Sequence, residues 1–164
     1  MMRAGVGYDS HRVAAGGRML LGGIEVARHV HLEGHSDGDA VAHAVTDAVL
    51  GAAGSGDIGS MFPDTDPANA GRDSMEMLRS AVDTIAERGF TVVNIDVTVI
   101  AESPKIAPFR DAICESLAAS LRTSPTAVSV KGKTNEGMGW IGRGEGLACI
   151  AVAMIRTGTD SGAE

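Results

Sequence analysis

The chain has 164 residues, 44% of them hydrophobic and 21% charged, which fits one globular domain with a real core and excludes a disordered chain. A formal net charge of −7 leaves no basic stripe to neutralise a nucleic acid, so a nucleic-acid partner is excluded and any anionic ligand must be held locally, by metal ions and a few Lys or Arg. Only 3% of residues are aromatic while Gly occurs 22 times; with so few large side chains, part of the apolar strand surface is expected to be buried between subunits.

No apolar run approaches the ~20 residues of a membrane span, and the N-terminus carries no apolar signal segment. Two cysteines, Cys114 and Cys149, are too few for a disulfide framework. A soluble, cytoplasmic protein with no membrane partner is expected. Arg3 to Tyr8 reads as the first strand, with Asp9-Ser10-His11 at its end; two apart on extended backbone, Asp9 and His11 point the same way. Arg18 to Ala27 reads as a hairpin turning at Gly22-Gly23, residues that accept positive φ. Gly38 to Gly54 reads as a helix: Val41, Val45, Val49 and Ala52 make one face, and Asp39, His43 and Asp47, four apart, share another. Gly54 to Gly71 is a loop rich in Gly, Pro and Asp. Asp73 or Ser74 can cap a second helix that runs to Arg88 and stops at Gly89. Phe90 to Ala101 is a β-branched strand, Pro108 opens a third helix ending near Leu121, and Ala127 to Lys133 and Glu145 to Arg156 complete the sheet. The predicted class is α/β or α+β, a single sheet backed by helices on one side. Residues 1–156 read as one domain and residues 157–164, small and polar, as a flexible tail.

Asp9, His11 and His43 offer one carboxylate and two imidazoles, a three-ligand set that leaves a tetrahedral Zn²⁺ one open position. Either Asp39 or Asp47 is placed to orient the His43 ring from behind. His29 and His31, beside Arg28, read as solvated. Asp57-Ile58-Gly59 and Phe62-Pro63-Asp64-Thr65-Asp66 belong to a stiff acidic loop that can take ribose hydroxyls or a divalent cation, or be a solvated turn. Ala101-Glu102-Ser103-Pro104-Lys105-Ile106-Ala107 follows a strand and precedes a helix, where anions and ligands gather. Prolines there fix a backbone whose N–H and C=O groups can read a base edge; a plain turn is the other reading. In Lys133-Thr134-Asn135-Glu136, Lys133, backbone N–H groups and the Thr134 hydroxyl can cradle phosphates, and Glu136 can ligate Mg²⁺. The glycine-rich stretch that follows holds Trp140 and Arg143 and has no Walker A spacing.

Taken in order, Gly7-Tyr8-Asp9-Ser10-His11, Gly34-His35-Ser36-Asp37-Gly38-Asp39 with His43 and Thr46-Asp47, Gly56-Asp57-Ile58-Gly59, Phe62-Pro63-Asp64-Thr65-Asp66 and Gly142-Arg143-Gly144-Glu145-Gly146 resemble the 2-C-methyl-D-erythritol 2,4-cyclodiphosphate synthase family. The resemblance implies Zn²⁺, or another divalent ion, on Asp9, His11 and His43, and Mg²⁺ or Mn²⁺ at Glu136 bridging a diphosphate. It implies His35 and Thr134 as catalytic donors to transition-state oxygens, and substrate contacts from Asp9, Ser10, His11, His35 and Ser36. Ribose contacts fall on Asp57, Ile58 and Gly59, and a mobile loop over the methylerythritol falls on Phe62 to Asp66 (Phe62, Pro63, Asp64, Thr65, Asp66). A cytosine pocket falls on Ala101, Glu102, Ser103, Pro104, Lys105, Ile106 and Ala107, with further contacts from Lys133, Thr134, Asn135, Glu136, Trp140 and Arg143. Lys133 stands where the family commonly has a hydroxyl, and Trp140 replaces a smaller aromatic.

The same resemblance implies a homotrimer with sites between subunits and sheets facing inward. The implied reaction is that of a lyase: the 2-phosphate of 4-diphosphocytidyl-2-C-methyl-D-erythritol 2-phosphate attacks the β-phosphorus, a cyclic diphosphate closes and CMP leaves. This is a step of the non-mevalonate isoprenoid pathway. Other readings of these residues are a metal-dependent phosphohydrolase with Asp39 as base, a non-catalytic nucleotide-binding module, and a structural zinc site completed by Asp39 or His35.

Overall fold

The first strand does not stop at Tyr8. In the computed structural model, which describes residues 1–158, β1 runs from Met2 to Leu21, so Asp9 and His11 lie in mid-strand rather than at a strand end. The neighbours supply the reason. Met2 to Arg12 pair antiparallel with β5 (Gly146–Thr157), and Val13 to Leu21 pair antiparallel with β2 (Ile24–Leu32), so two ladders share one strand. The β1–β2 turn is Gly22-Gly23 as expected, at φ 59° and 78°, the left-handed pair that a two-residue hairpin requires.

β3 (Phe90–Ile100) pairs antiparallel with β5 and parallel with β4 (Val128–Lys133), giving one mixed sheet in the order β2-β1-β5-β3-β4. The parallel step needs a crossover, supplied by α4 (Arg110–Leu121); Pro108 sits in the single 3₁₀ turn Ala107–Phe109 that leads into it. The helix over the first half is α1 (Ala40–Ala53), with Asp39 as its N-cap and Gly54 left-handed at its end. The acidic loop contains a short α-helix, α2 (Ile58–Met61), and a 3₁₀ turn at Pro67–Asn69, and α3 (Ser74–Glu87) is capped by Asp73. A last short turn, α5 (Gly139–Gly142), precedes β5.

α1, α3 and α4 cover one sheet face, where Val45, Val49, Leu78, Val97, Ile113 and Leu147 form part of the core. α1 is buried almost all round, beyond the face that its valines mark. It presses close because β1 carries no side chains beneath it: a Cβ on Gly7 would stand 1.9 Å from the Ala44 carbonyl oxygen. On the other face, Val6 (68% exposed) stands opposite Val152 (38%), and Tyr8 (55%) opposite Ile150 (39%). Thr157, placed in the tail by the sequence, is the last residue of β5, and the Gly158 N–H donates to the Gly89 carbonyl at 2.7 Å; the remainder of the expected tail, 159–164, lies outside the described residues. Cys114 and Cys149 are free. Among the described residues, no helix is long and apolar enough to cross a membrane.

Candidate functional site

Alternation along β1 turns Asp9 and His11 to the helix-covered face and Ser10 to the other, and α1 brings His43 down onto the pair. Asp9 Oδ2 lies 2.8 Å from His11 Nε2 and 3.3 Å from His43 Nδ1, and the two ring nitrogens are 3.2 Å apart. Each ring is tied from behind. His11 Nδ1 is 2.5 Å from the Glu33 carbonyl oxygen, so its N–H donates there and Nε2 faces Asp9. His43 Nε2 is 2.9 Å from both the Ser36 and the Ser74 hydroxyls, which leaves Nδ1 bare. Asp9 Oδ2 is buried and has no hydrogen bond of acceptable direction. One carboxylate oxygen and two imidazole nitrogens, all within 4.8 Å of one another, fit a divalent cation with an affinity for nitrogen.

Burial pushes the Asp9 carboxyl up, but the hydrogen bonds and charges of His11 and His43 outweigh it and hold Asp9 below the usual carboxylate range. Burial pulls His11 down, and pairing with Asp9, aided by the Glu33 carbonyl, more than offsets this and raises it. The two shifts describe one pair that favours its charged form.

The expected row of Asp39, His43 and Asp47 does not form. Asp39 caps α1 and is fully buried, accepting from Ala42 N at 3.0 Å, Gly22 N at 2.8 Å and Gly23 N at 2.6 Å. It ties the hairpin turn to the helix, away from the imidazole and shut off from solvent. It therefore neither orients His43 nor serves as the base of a hydrolase, nor as a fourth zinc ligand. Asp47 accepts from Ile58 N at 2.8 Å and so holds α2. His31 Nδ1–H donates to the Gly16 carbonyl at 2.9 Å, and the residue stays outside the triad.

The triad floors a cavity of about 330 Å³. Of the candidate contacts named from the sequence, His35, Ser36, Ile58, Gly59, Phe62 and Asp64 line it, whereas Pro63, Thr65 and Asp66 do not. Asp57 caps α2, accepting from Ser60 N at 2.7 Å. Sequence reasoning missed Asn69 and Met77 in the lining. It also missed Arg72, which lies 4.8 Å over the Phe62 ring and donates to Asn69 Oδ1 at 3.1 Å; only tertiary packing brings these together.

A second cavity, about 320 Å³, opens beyond the ends of β3 and β4. Ala101, Pro104, Lys105, Ile106, Ala107, Lys133 and Thr134 line it, joined by Arg110 and Lys131, which the sequence did not single out. Glu102 and Ser103 are not in that lining. Instead Glu102 Oε1 accepts from Asn135 N at 2.9 Å and Gly137 N at 3.2 Å. It thereby holds a loop in which Glu136 has φ 53° and accepts from the Thr134 hydroxyl at 2.8 Å. Among the described residues, Glu136 joins no group of three metal-binding side chains. Trp140 packs over Gly146, where a Cβ would lie 2.9 Å from the indole, and Arg143 pairs with Glu145 at 2.7 Å; neither lines either cavity. The two cavities share no lining residue. Through the ladders, Asp9 faces Cys149, Cys149 faces Val99, and Val99 faces Gly132, a separation of three strand intervals or roughly 14 Å.

Comparison with known proteins shows the family. The model of the YgbB family matches residues 2–156. The chain is 59% identical to the 2-C-methyl-D-erythritol 2,4-cyclodiphosphate synthase of Gemmatimonas aurantiaca, over 94% of this chain and 93% of that one. Its fold is similar to that of the bifunctional IspDF from Campylobacter jejuni, with a TM-score of 0.93 and 40% identity, covering 96% of this chain and 42% of that longer one. It is also similar to Plasmodium falciparum IspF in complex with CDP, with a TM-score of 0.85 and 34% identity, covering 96% and 97% of the two chains. Likeness of this degree, running from the first strand to the last, means that the chain belongs to the YgbB family, the family of 2-C-methyl-D-erythritol 2,4-cyclodiphosphate synthases.

Proposed function

We propose that the chain is a metal-dependent cyclase. It converts 4-diphosphocytidyl-2-C-methyl-D-erythritol 2-phosphate to 2-C-methyl-D-erythritol 2,4-cyclodiphosphate and CMP, a phosphorus–oxygen lyase step of non-mevalonate isoprenoid synthesis in the cytoplasm. The observation that carries this reading is the convergence of Asp9 Oδ2, His11 Nε2 and His43 Nδ1 on the floor of a cavity. The nucleotide half of the substrate is assigned to the second cavity. There Lys105, Arg110 and Lys133 gather positive charge, while Lys131 is paired with Asp96, on a chain whose net charge is −7; this is the local attraction an anionic ligand needs.

Zn²⁺, or another divalent ion, on the triad would supply Lewis-acid polarisation of a phosphoryl oxygen. The attacking 2-phosphate has a second pKa of roughly 6 and is ionised at neutral pH, so no general base is needed. His35 and Ser36 orient phosphate from the wall of the same cavity. Thr134 donates to a transition-state oxygen; losing such a donor costs on the order of 10²–10³ in rate. Glu136, beside it, would be the residue to hold Mg²⁺ or Mn²⁺. Asp57, Ile58 and Gly59 take the ribose, Phe62 to Asp66 cover the methylerythritol, and the backbone of Ala101 to Ala107 reads the cytosine. Ring closure is intramolecular, so holding the folded substrate supplies much of the remaining acceleration.

Residues 1–156 form the catalytic domain of a homotrimer, with each site between two subunits. The separation of the two cavities within one chain and the uncovered face around Val6, Tyr8, Ile150 and Val152 support this arrangement. The test is ³¹P NMR of the purified protein with the cytidine diphospho-substrate and Mg²⁺, with and without Zn²⁺. CMP together with a coupled pair of cyclic diphosphate resonances is expected. CMP with a linear phosphate would mean hydrolysis and overturn the reading.

A further inference from the structure

Ser74 opens α3, yet its side chain does not serve that helix, because Asp73 caps it by accepting from the Met75 and Glu76 N–H groups. Ser74 is fully buried. Its hydroxyl lies 2.9 Å from His43 Nε2 and in a short contact with Asp37 Oδ1, while its backbone N–H donates to Asp37 Oδ2 at 3.1 Å. A carboxylate only accepts, so in the Ser74–Asp37 hydrogen bond the hydroxyl is the donor. The Ser74 proton therefore goes to Asp37, and Ser74 Oγ accepts from His43 Nε2–H. That fixes the tautomer in which His43 Nδ1 presents its lone pair to Asp9 and His11. Asp37 is itself held, accepting at Oδ1 from Asp39 N at 3.2 Å and donating its own N–H to the Arg72 carbonyl at 3.2 Å.

We propose that Ser74, backed by Asp37, is the positioning residue of the metal centre, selecting the His43 tautomer and fixing its ring. This rests on the reading of Asp9, His11 and His43 as metal ligands. Ser36 is the competitor, since its hydroxyl is equally near His43 Nε2, at 2.9 Å. Two observations separate them. Ser36 lines the ligand cavity and Ser74 does not. Among the described residues, Ser36 also has no carboxylate to take its proton: its other neighbours are Ser74 Oγ at 3.2 Å and the Gly38 N–H at 3.3 Å. Ser36 is thus left free to donate to a ligand oxygen, while Ser74 is committed to the histidine. Such a partner behind a metal-bound imidazole raises its basicity and limits its rotation.

The experiment measures Zn²⁺ affinity by chelator competition on the full chain and on Ser74→Ala, Asp37→Asn and Ser36→Ala. The His43 ring N–H resonance of the Zn²⁺-loaded proteins and the melting temperature of the metal-free ones are followed in parallel. Ser74→Ala is expected to weaken Zn²⁺ binding by about 10–100-fold and Asp37→Asn by less in the same direction, whereas Ser36→Ala stays within about threefold and instead raises KM. The ring N–H resonance shifts in Ser74→Ala and keeps its position in Ser36→Ala. Wild-type Zn²⁺ affinity in Ser74→Ala, or the loss falling on Ser36→Ala instead, overturns the proposal. Should Ser74→Ala fail to fold, wild-type affinity in Asp37→Asn, or a wild-type ring N–H that exchanges freely with solvent, does the same. A wild-type chain that holds no Zn²⁺ fails the metal-centre reading itself.

Discussion

Asp39 gathers three backbone N–H groups from two separate elements, Gly22 and Gly23 of the hairpin turn and Ala42 of α1. Four-residue spacing to His43 made it resemble a site residue, but it lies one position outside the helix, and its partners come from a turn far away in sequence. Burial raises its carboxyl pKa, with the three N–H donors opposing in part. The native state thus keeps the Asp39 proton to higher pH than the unfolded chain, whose carboxyl has the ordinary value of 3.8. Between those two values the native state binds more protons. The contribution of Asp39 to stability therefore grows as pH falls through the native pKa and levels off below the unfolded one. Relative to Asp39→Asn, the wild type is expected to gain stability as pH falls through the native Asp39 pKa toward the ordinary value of 3.8, by at most ~1.4 kcal/mol per pH unit. Urea denaturation of both proteins across that range checks the sign; a wild type that loses ground to the variant on acidification contradicts it.

At the scale of elements, the distance between β1 and α1 is set by what β1 lacks. A Cβ on Gly5 would lie 2.1 Å from the Ala48 carbonyl oxygen and one on Gly7 would lie 1.9 Å from that of Ala44. Both contacts are with helix backbone, so no side-chain rotation relieves them and α1 must lift as a body. His43 precedes Ala44, and lifting the helix opens the 3.3 Å gap between its Nδ1 and Asp9. Gly7→Ala is therefore expected to cost about 1–3 kcal/mol of stability and to weaken metal binding in the same protein. Thermal unfolding and chelator competition on one sample measure both, and unchanged metal affinity beside a lowered melting temperature would show that this spacing does not govern the site. The abundance of glycine was legible in the sequence, but only as a shortage of core volume; that two glycines admit a helix onto the metal ligands depends on which strand the helix crosses. Features with local causes were legible: the Gly22-Gly23 turn, the Asp73 cap and the stop at Gly89. The length of β1 was not, because its continuation beyond Tyr8 depends on pairing with β5 and β2. Ser74, Asn69 and Arg72 were hidden for the same reason, as each gains its role from a partner on another element.

At the scale of the whole molecule, the proposed function places two half-sites on one chain, in cavities that share no lining residue. The triad and its cavity belong to β1, α1 and the loop around α2, while the basic cavity belongs to the far ends of β3 and β4. A substrate that must touch both needs a neighbour to bring the second half, and the exposed pairs Val6–Val152 and Tyr8–Ile150 offer an apolar face on which subunits can assemble. This has a consequence for mixtures. His43→Ala destroys the triad half and Thr134→Ala the nucleotide half, and each homotrimer is expected to be nearly inactive. In mixed trimers made by co-expressing or refolding the two together, a site is whole only where a Thr134→Ala subunit supplies the triad and the next, a His43→Ala subunit, supplies the nucleotide cavity. With equal amounts and random assembly, each condition is met half the time, so about a quarter of wild-type activity should return. If both halves of a site came from one chain, every site in the mixture would carry one lesion and no activity would reappear. Turnover of the mixture, compared with each variant alone and with subunits mixed but not exchanged, decides between the two arrangements.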